Sequence, residues 1–291
     1  MQSVQKIDYR SLFPFSFVFK DRKSPQRELP DHVHDYYELV FVYSGKGTFF
    51  IDDVFYDMNQ GDVFILPNNT IHRAMPDGTD PVTSSVIFFS PTLLYDMTID
   101  ETFSYMSLFD HVKKQRNYQL SLDSKLWPIF EGYLLSIQQE VTQPQKGSKH
   151  ATLLAVHQIL LQLCRVSQQQ QEPTEPYHHG PSWIKEILSY IEAHLAQELS
   201  LTDLAQEALV SPAHFSRVFK QTTGMGLTVY LNTKRMVKAK ELLMQTDMTI
   251  AHIAEQTGYD SLTHFHRIFK KFVGTTPADF RKQSKLYPQL R

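Results

Sequence analysis

One segment of this chain occurs twice, and the duplication restricts the possible folds more than any other feature. The first copy reads His214-Phe215-Ser216-Arg217-Val218-Phe219-Lys220 and closes on Gly224. The second reads His264-Phe265-His266-Arg267-Ile268-Phe269-Lys270 and closes on Gly274. His, Phe, Arg, Phe, Lys and Gly all recur at a spacing of fifty, which chance rarely produces. Upstream, residues 201–205 are echoed by residues 250–254 at a spacing of forty-nine, so the second copy carries one extra residue in its turn. Each copy therefore reads as a short helix, a turn and a second helix.

The punctuation agrees. Ser200 can cap a helix whose third position is Asp203, and Ser211-Pro212 supplies a capping hydroxyl followed by a proline whose missing N–H costs nothing there. Thr249 opens the corresponding helix of the second copy, Gly258 makes its turn, Asp260 or Ser261 opens the next helix, and Gly224 and Gly274 end the two second helices. Between the copies, residues 229–244 set Leu231, Met236, Ala239, Leu242 and Leu243 at helical spacing, with Lys234, Arg235, Lys238 and Lys240 elsewhere. Such a helix is about 24 Å long. It suits two reading units roughly one DNA turn, about 34 Å, apart.

Within each copy the two faces differ. Phe215, Val218 and Phe219, like Phe265, Ile268 and Phe269, are spaced to pack inward. The opposite face carries Ala213, Ser216, Arg217 and Lys220 in the first copy and Thr263, His266, Arg267 and Lys270 in the second. Arginine pairs bidentately with guanine, Ser, Thr and His are more permissive, and Ala can meet a thymine methyl, so Ala213, Ser216, Arg217, Thr263, His266 and Arg267 are expected to read bases in double-stranded DNA, with Lys220 and Lys270 binding it beside them; the alternative for the two arginines is solvent or a phosphate. His214 and His264, beside the inward Phe, are expected to serve structure or a phosphate.

Residues 183–285 resemble the DNA-binding domain of the AraC/XylS family of bacterial transcription regulators. The signature stands here as Ile253-Ala254, Gly258-Tyr259, Phe265 through Lys270, Gly274, and Pro277-Ala278-Asp279-Phe280-Arg281. The resemblance implies two helix-turn-helix units on a connecting helix, promoter DNA and RNA polymerase as partners, and activation more often than repression.

The chain has 291 residues, 42% of them hydrophobic, enough for about two ordinary cores. It has no apolar run near the length of a membrane span and no charged leader, and its single cysteine, Cys164, excludes an internal disulfide. A cytoplasmic protein is expected, with Cys164 simply packing in a helix. Formal charge is −2 overall but uneven, with +4 over residues 182–291 and −6 over the rest. The basic end is the one that carries the duplicated motif.

The front half has a different period. An arm or leading strand is expected where Phe13, Phe15, Phe17 and Phe19 alternate, followed by a polar loop over residues 21–30. Strand-like segments at 36–43, 48–51, 55–58, 62–66 and 85–89 alternate with turns at Ser44-Gly45-Lys46-Gly47, Asp52-Asp53, Asn59-Gln60-Gly61 and Pro67-Asn68-Asn69. A small barrel or sandwich follows. This stretch resembles a cupin-like sensor domain, through His32, His34 and Glu38, Gly45, Gly61-Asp62, Pro67-Asn68-Asn69 and His72. On a strand His32, His34 and Glu38 would share a face, with His72 reaching them from a later strand. Three imidazoles and a carboxylate could bind zinc, iron or manganese, so a metal at His32, His34, Glu38 and His72 is one reading. The preferred reading is a metal-free site, either vestigial, with these side chains only packing or hydrogen-bonding, or a pocket for a small-molecule effector, typically a sugar in the family, lined by His34, Tyr36, Glu38, His72 and Arg73.

Residues 93–118 read as mixed, with aromatics in short turns. Two helices then follow at 126–141 and 150–166, with Ile129, Phe130, Tyr133, Leu134 and Ile137 on one face and Leu153, Leu154, Val156, His157, Leu160, Leu161 and Cys164 on the other partner. They are expected to pair antiparallel beside the barrel, and the resemblance implies that such a pair forms a homodimer interface. Residues 167–181, with Gln168 to Gln171 and His178-His179, read as a linker. The expected fold is thus two-domain: an all-β cupin-like barrel with a helix pair over residues 1–166, a linker at 167–181, and an all-α DNA-binding domain over 182–291. It is expected to be a regulator and no enzyme, with no membrane partner. The alternatives are a cupin metalloenzyme carrying a DNA-binding tail, which would turn over a substrate, and a DNA-binding protein indifferent to every ligand.

Overall fold

In a computed structural model the described residues are 13–23, 34, 36–94, 103–169 and 182–286. The chain forms two compact units, Met1–His179 and Gly180–Arg291. Among the described residues no helix is long and apolar enough to cross a membrane.

The first unit is built on eight strands: β1 Phe15–Arg22, β2 Tyr37–Ser44, β3 Gly47–Ile51, β4 Val54–Met58, β5 Asp62–Leu66, β6 His72–Pro76, β7 Thr83–Phe89 and β8 Gln119–Ser121. They form two antiparallel sheets, one ordered β1-β7-β2-β5-β8 and the other β4-β3-β6. The expected strands are all present. β6 and the short β8 add to them, and β1 extends past the expected start of the polar loop. Asp52 and Asp53 both have positive φ, 43° and 77°, the backbone of a two-residue hairpin whose twist matches its strands, and Ile51 pairs directly with Val54 across it.

Alternation along β2 sorts the core. Tyr37 stacks on Phe109 at 3.9 Å and Phe41 meets Phe130, so the odd-numbered side of β2 is covered by helices. On the even side Glu38 and Val40 pair with Leu66 and Phe64 of β5, and Phe64 meets Phe49 of the other sheet at 5.0 Å. The space between the sheets is therefore packed with aromatic rings, with Glu38 among them.

The covering helices are α1 Met106–Gln115, α2 Trp127–Thr142 and α3 Ser148–Gln169. α1 lies where short turns were expected. Its apolar side, Leu108, Phe109 and Val112, is buried against the sheet, and contacts distant in sequence outweigh its weak local pattern. α2 and α3 pack together as expected, with Phe130, Leu134, Ile137, Val156, Leu160 and Cys164 buried. Two stripe residues depart from expectation: Ile129 is 45% and Leu154 64% exposed. Both lie at the margin of their stripe, rotated away from the partner helix. α3 also runs to Gln169, through the first residues expected in the linker, while residues 170–181, including His178 and His179, lie outside the described set.

The second unit is all helical: α4 Ser182–Ala193, α5 Leu201–Glu207, α6 Pro212–Thr223, α7 Leu227–Gln245, α8 Ile250–Gln256, α9 Leu262–Val273 and α10 Pro277–Leu286. α7 buries Tyr230 against Phe219 near its start and Met236, Ala239 and Leu243 against the second copy's Phe265 and Phe269. Lys234 and Lys240, expected on the polar side of α7, are only 7% and 4% exposed. Lys234 pairs with Glu192 of α4 at 3.0 Å and the Lys240 ammonium lies 5.6 Å from the centre of the Phe280 ring, because long apolar stems can be buried when the charged tip finds a partner.

Candidate nucleic-acid interface and sensor cluster

The two second helices, α6 and α9, are prepared alike. Ser211 Oγ accepts from the His214 N–H and Ser261 Oγ from the His264 N–H, both at 3.3 Å, and the left-handed Gly224 and Gly274 close the helices with φ of 78° and 87°. Of the two openers expected for α9, Ser261 is the cap. Thr249 and Ser200 cap α8 and α5 in the same way, and Ser200 Oγ also donates to the Asp203 carboxylate at 2.6 Å. Phe215 and Phe219, and likewise Phe265 and Phe269, are fully buried, while Val218 and Ile268 are half-buried.

Burial of those rings turns the other faces outward. Ala213, Ser216, Arg217 and Lys220 on α6, and Thr263, Arg267 and Lys270 on α9, are exposed, with His266 half-buried. Arg217 Nη2 lies 3.3 Å from His214 Nδ1, so that histidine steadies the arginine from one turn away. His264 instead packs edge-on against Tyr259 at 5.6 Å. Each face thus presents an arginine, a lysine and small polar groups on a short helix, the chemistry that reads base edges and phosphates in a major groove.

A second cluster lies between the sheets of the first unit. Glu38 Oε2 sits 3.0 Å from His34 Nε2 and 3.1 Å from His72 Nε2. Glu38 is 5% exposed and His72 3%. Burial alone pushes the Glu38 carboxyl up, but the charge of His72 and the hydrogen bonds and charge of both imidazoles together outweigh it and hold the group well below the usual carboxylate range. His72 Nδ1 lies 3.0 Å from the Thr70 carbonyl, which can only accept, so Nδ1 carries a proton. The neutral ring would then turn the Nε2 lone pair toward the carboxylate. A proton shared between Nε2 and the carboxylate, or a cation between them, would relieve that contact. The ligand atoms of His34, Glu38 and His72 all lie within 4.8 Å of one another, and a ligating imidazole held from behind by a carbonyl is the usual support of a metal site. These three side chains could hold zinc, iron or manganese.

Residues 14–209 match the family model of the AraC-like ligand binding domain, and residues 204–283 match that of a helix-turn-helix domain. The chain belongs to the AraC family. It is similar to the HTH-type transcriptional activator RhaR of Mannheimia succiniciproducens, 23% identical over 97% of this chain and 99% of that protein. It is also similar to RhaS of an Enterobacter species, 25% identical over 89% of each chain. Among solved structures, the C-terminal domain of AraT, a response regulator from Geobacillus stearothermophilus, is 36% identical over 36% of this chain and 88% of that one, with a TM-score of 0.36.

Within this AraC-family frame, the expected sensor residues divide. His34, Glu38 and His72 come together, and the Tyr36 ring lies 5.4 Å from that of His34. Shared strand parity is not what joins His34 to Glu38. β2 begins only at Tyr37, and His34 sits on the approach to it, where its carbonyl accepts from the Asn69 N–H at 2.9 Å. Arg73 departs from expectation: it pairs with Phe50 across β3, on the face of β6 opposite to His72, because adjacent strand residues point to opposite sides. His32 lies outside the described residues. One residue that pattern reading grouped with the polar side of α7 has a different place: Arg235 is half-buried, and its Nε and Nη2 donate to the carbonyls of Leu195 and Gln197 at 3.0 and 2.7 Å.

Proposed function

We propose that this protein is a sequence-specific, ligand-responsive transcriptional activator, cytoplasmic and without enzymatic activity, that binds promoter DNA with α6 and α9. The observation that carries the reading is the pair of capped helices exposing Ala213, Ser216, Arg217 and Lys220 on one and Thr263, His266, Arg267 and Lys270 on the other. Two such faces on one compact unit suit two successive entries into the major groove. The names of RhaR and RhaS, as activators, favour activation, which requires a productive contact with RNA polymerase.

The effector in this reading is a small polyhydroxylated molecule, a sugar or a related metabolite, held near His34, Tyr36, Glu38 and His72. The rings of Phe88, His72 and Tyr36 gather around His34 beside a carboxylate, a combination of apolar surface and charge suited to a hydroxyl-rich ring. Ile129, Leu135, Val141 and Leu154, all at least 45% exposed on α2 and α3, support a homodimer formed through that helix pair.

The test is selection of bound fragments from the source genome by the purified protein, followed by transcription from the enriched promoter with candidate sugars. Two short conserved blocks about 10 base pairs apart, and transcription that rises with one sugar, are expected. Recovery of fragments with no common sequence overturns the proposal. A second reading, a metal on His34, Glu38 and His72, is supported by the convergence of their ligand atoms within 4.8 Å of one another. It predicts about one equivalent of zinc, iron or manganese in the purified protein and none in His72→Ala.

A further inference from the structure

Arg235 lies halfway along α7, between the parts of that helix that carry the two helix-turn-helix units. On one side its guanidinium donates from Nε to the Leu195 carbonyl at 3.0 Å and from Nη2 to the Gln197 carbonyl at 2.7 Å. Both acceptors lie in the turn just after α4, the helix whose Trp183 packs on Phe215 of the first helix-turn-helix. On its other side Cζ lies 5.6 Å from the centre of the Tyr259 ring, in the turn of the second helix-turn-helix. The approach is close. A Cβ placed on Gly258 would stand 2.9 Å from Cζ and Nη2 of Arg235 and 2.9 Å from the Leu195 carbonyl oxygen. The Tyr259 hydroxyl also donates to Asn232 Oδ1, one turn before Arg235, at 2.8 Å.

We propose that Arg235 is a specificity-determining positioning residue: it ties the first helix-turn-helix unit to the turn of the second and so fixes the half-site spacing the protein accepts. The inference rests on the proposal that both units read DNA. Each unit is already seated on α7 by its own core, the first through Phe219 and Tyr230, the second through Met236, Ala239 and Leu243. Those cores hold each unit to its half of the helix and leave the angle between the halves to the bending of α7. Arg235 spans that gap with a planar fork of donors to one unit and a flat face to the other. Lysine, a point charge on a flexible stem, cannot reproduce both.

The experiment uses the full chain and the operator duplex enriched by selection, with zero, one or two base pairs inserted between its two blocks, and duplexes carrying either block alone. Two inserted base pairs move one block by about 7 Å and turn it by about 70°. Wild type is expected to lose about 30-fold in affinity on that insertion, the equivalent of one or two base contacts. Arg235→Ala and Arg235→Lys are expected to lose less than about 3-fold on the same insertion, while binding single blocks within about 3-fold of wild type. A purely structural role would weaken every duplex together and leave the spacing preference intact. Should Arg235→Ala fail to fold, Arg235→Lys and Arg235→Gln report the same ratio. A wild-type spacing preference in these folded variants overturns the inference and leaves DNA reading standing. Failure of wild type to bind either block overturns the DNA-reading proposal and this inference with it.

Discussion

Gly258 and Gly274 offer a matched pair of perturbations. Both have strongly positive φ, 78° and 87°, so alanine at either must occupy the left-handed region, which costs an L-residue roughly 1–2 kcal/mol. Part of this is returned because alanine loses less freedom on folding than glycine, leaving a net penalty of about 1 kcal/mol. At Gly274 that is all, since a Cβ there meets nothing within 4 Å. At Gly258 the Cβ would lie 2.9 Å from the Leu195 carbonyl oxygen and from Arg235, so the guanidinium must leave and its two bonds to the Leu195 and Gln197 carbonyls break. Hydrogen bonds to a charged group contribute about 1.5–3 kcal/mol each, and the Gln197 bond is exposed and counts for less, so the added loss is about 2–3 kcal/mol. Gly258→Ala should therefore cost about 3–4 kcal/mol and Gly274→Ala about 1. Urea unfolding of the full chain in a Trp127→Phe background would measure both. Trp183, which packs against Phe215, then reports on the second unit alone. Losses within 0.5 kcal/mol of each other, an order-of-magnitude resolution for such data, would refute the argument from close approach.

Three further outcomes are expected. Arg267→Ala should cost about 1–3 kcal/mol at the enriched operator and relax specificity there, whereas Lys270→Ala should weaken all duplexes and flatten the salt dependence; equal losses for Arg267→Ala on random and cognate DNA, by fluorescence anisotropy, would remove it from the base-reading set. Leu209 occupies in the first turn the position of Gly258 in the second, with φ of 55° and 93% exposure, so Leu209→Gly should leave stability unchanged or raise it by up to about 1 kcal/mol, and a clear drop in the urea midpoint would contradict this. His157 is 6% exposed and stacked on Tyr105, and burial lowers its pKa. Its neutral form is favoured in the folded state, so the stability it contributes is full above the ordinary histidine value and is lost as pH falls through the lowered one. His157→Phe, which keeps the stack, should flatten the melting temperature of the first unit below about pH 6.5; parallel curves for the two proteins would exclude His157 as the cause.

Much of the second unit was legible because its signals are local. Serine and threonine caps, Pro212 after Ser211, glycine at both helix ends and phenylalanines three and four apart all act within a few residues, and the structure shows α5, α6, α8 and α9 close to where these signals lie. The strands of the first unit were legible for the same reason, since their turns carry Asp52-Asp53, Gly45 and Gly61. α1 was not, because its residues become a helix through burial of Leu108, Phe109 and Val112 against β-strands far away in sequence.

The candidate sites divide along the same physical line. Which side of α6 or α9 faces outward follows from where the rings of Phe215, Phe219, Phe265 and Phe269 must go, so the exposed residues of each helix could be placed from periodicity. Glu38 and His72 sit on strands of different sheets, and their meeting depends on how the sheets pack, which a resemblance could anticipate and periodicity could not. Arg73, grouped with His72 on parity and resemblance, lies on the other face of its strand, since neighbours on one strand cannot share a face. Arg235 left no local trace at all. Its acceptors lie forty and thirty-eight residues upstream and the tyrosine it faces lies beyond the end of α7, so in sequence it is one cation among four on an amphipathic helix. Only the glycine of Gly258-Tyr259 hints at it, because a turn that could have been made with asparagine uses the one residue with no Cβ to strike the guanidinium. The outward residues of α6 and of α9 are thus encoded beside one another, whereas the contacts of Arg235 join segments far apart in sequence.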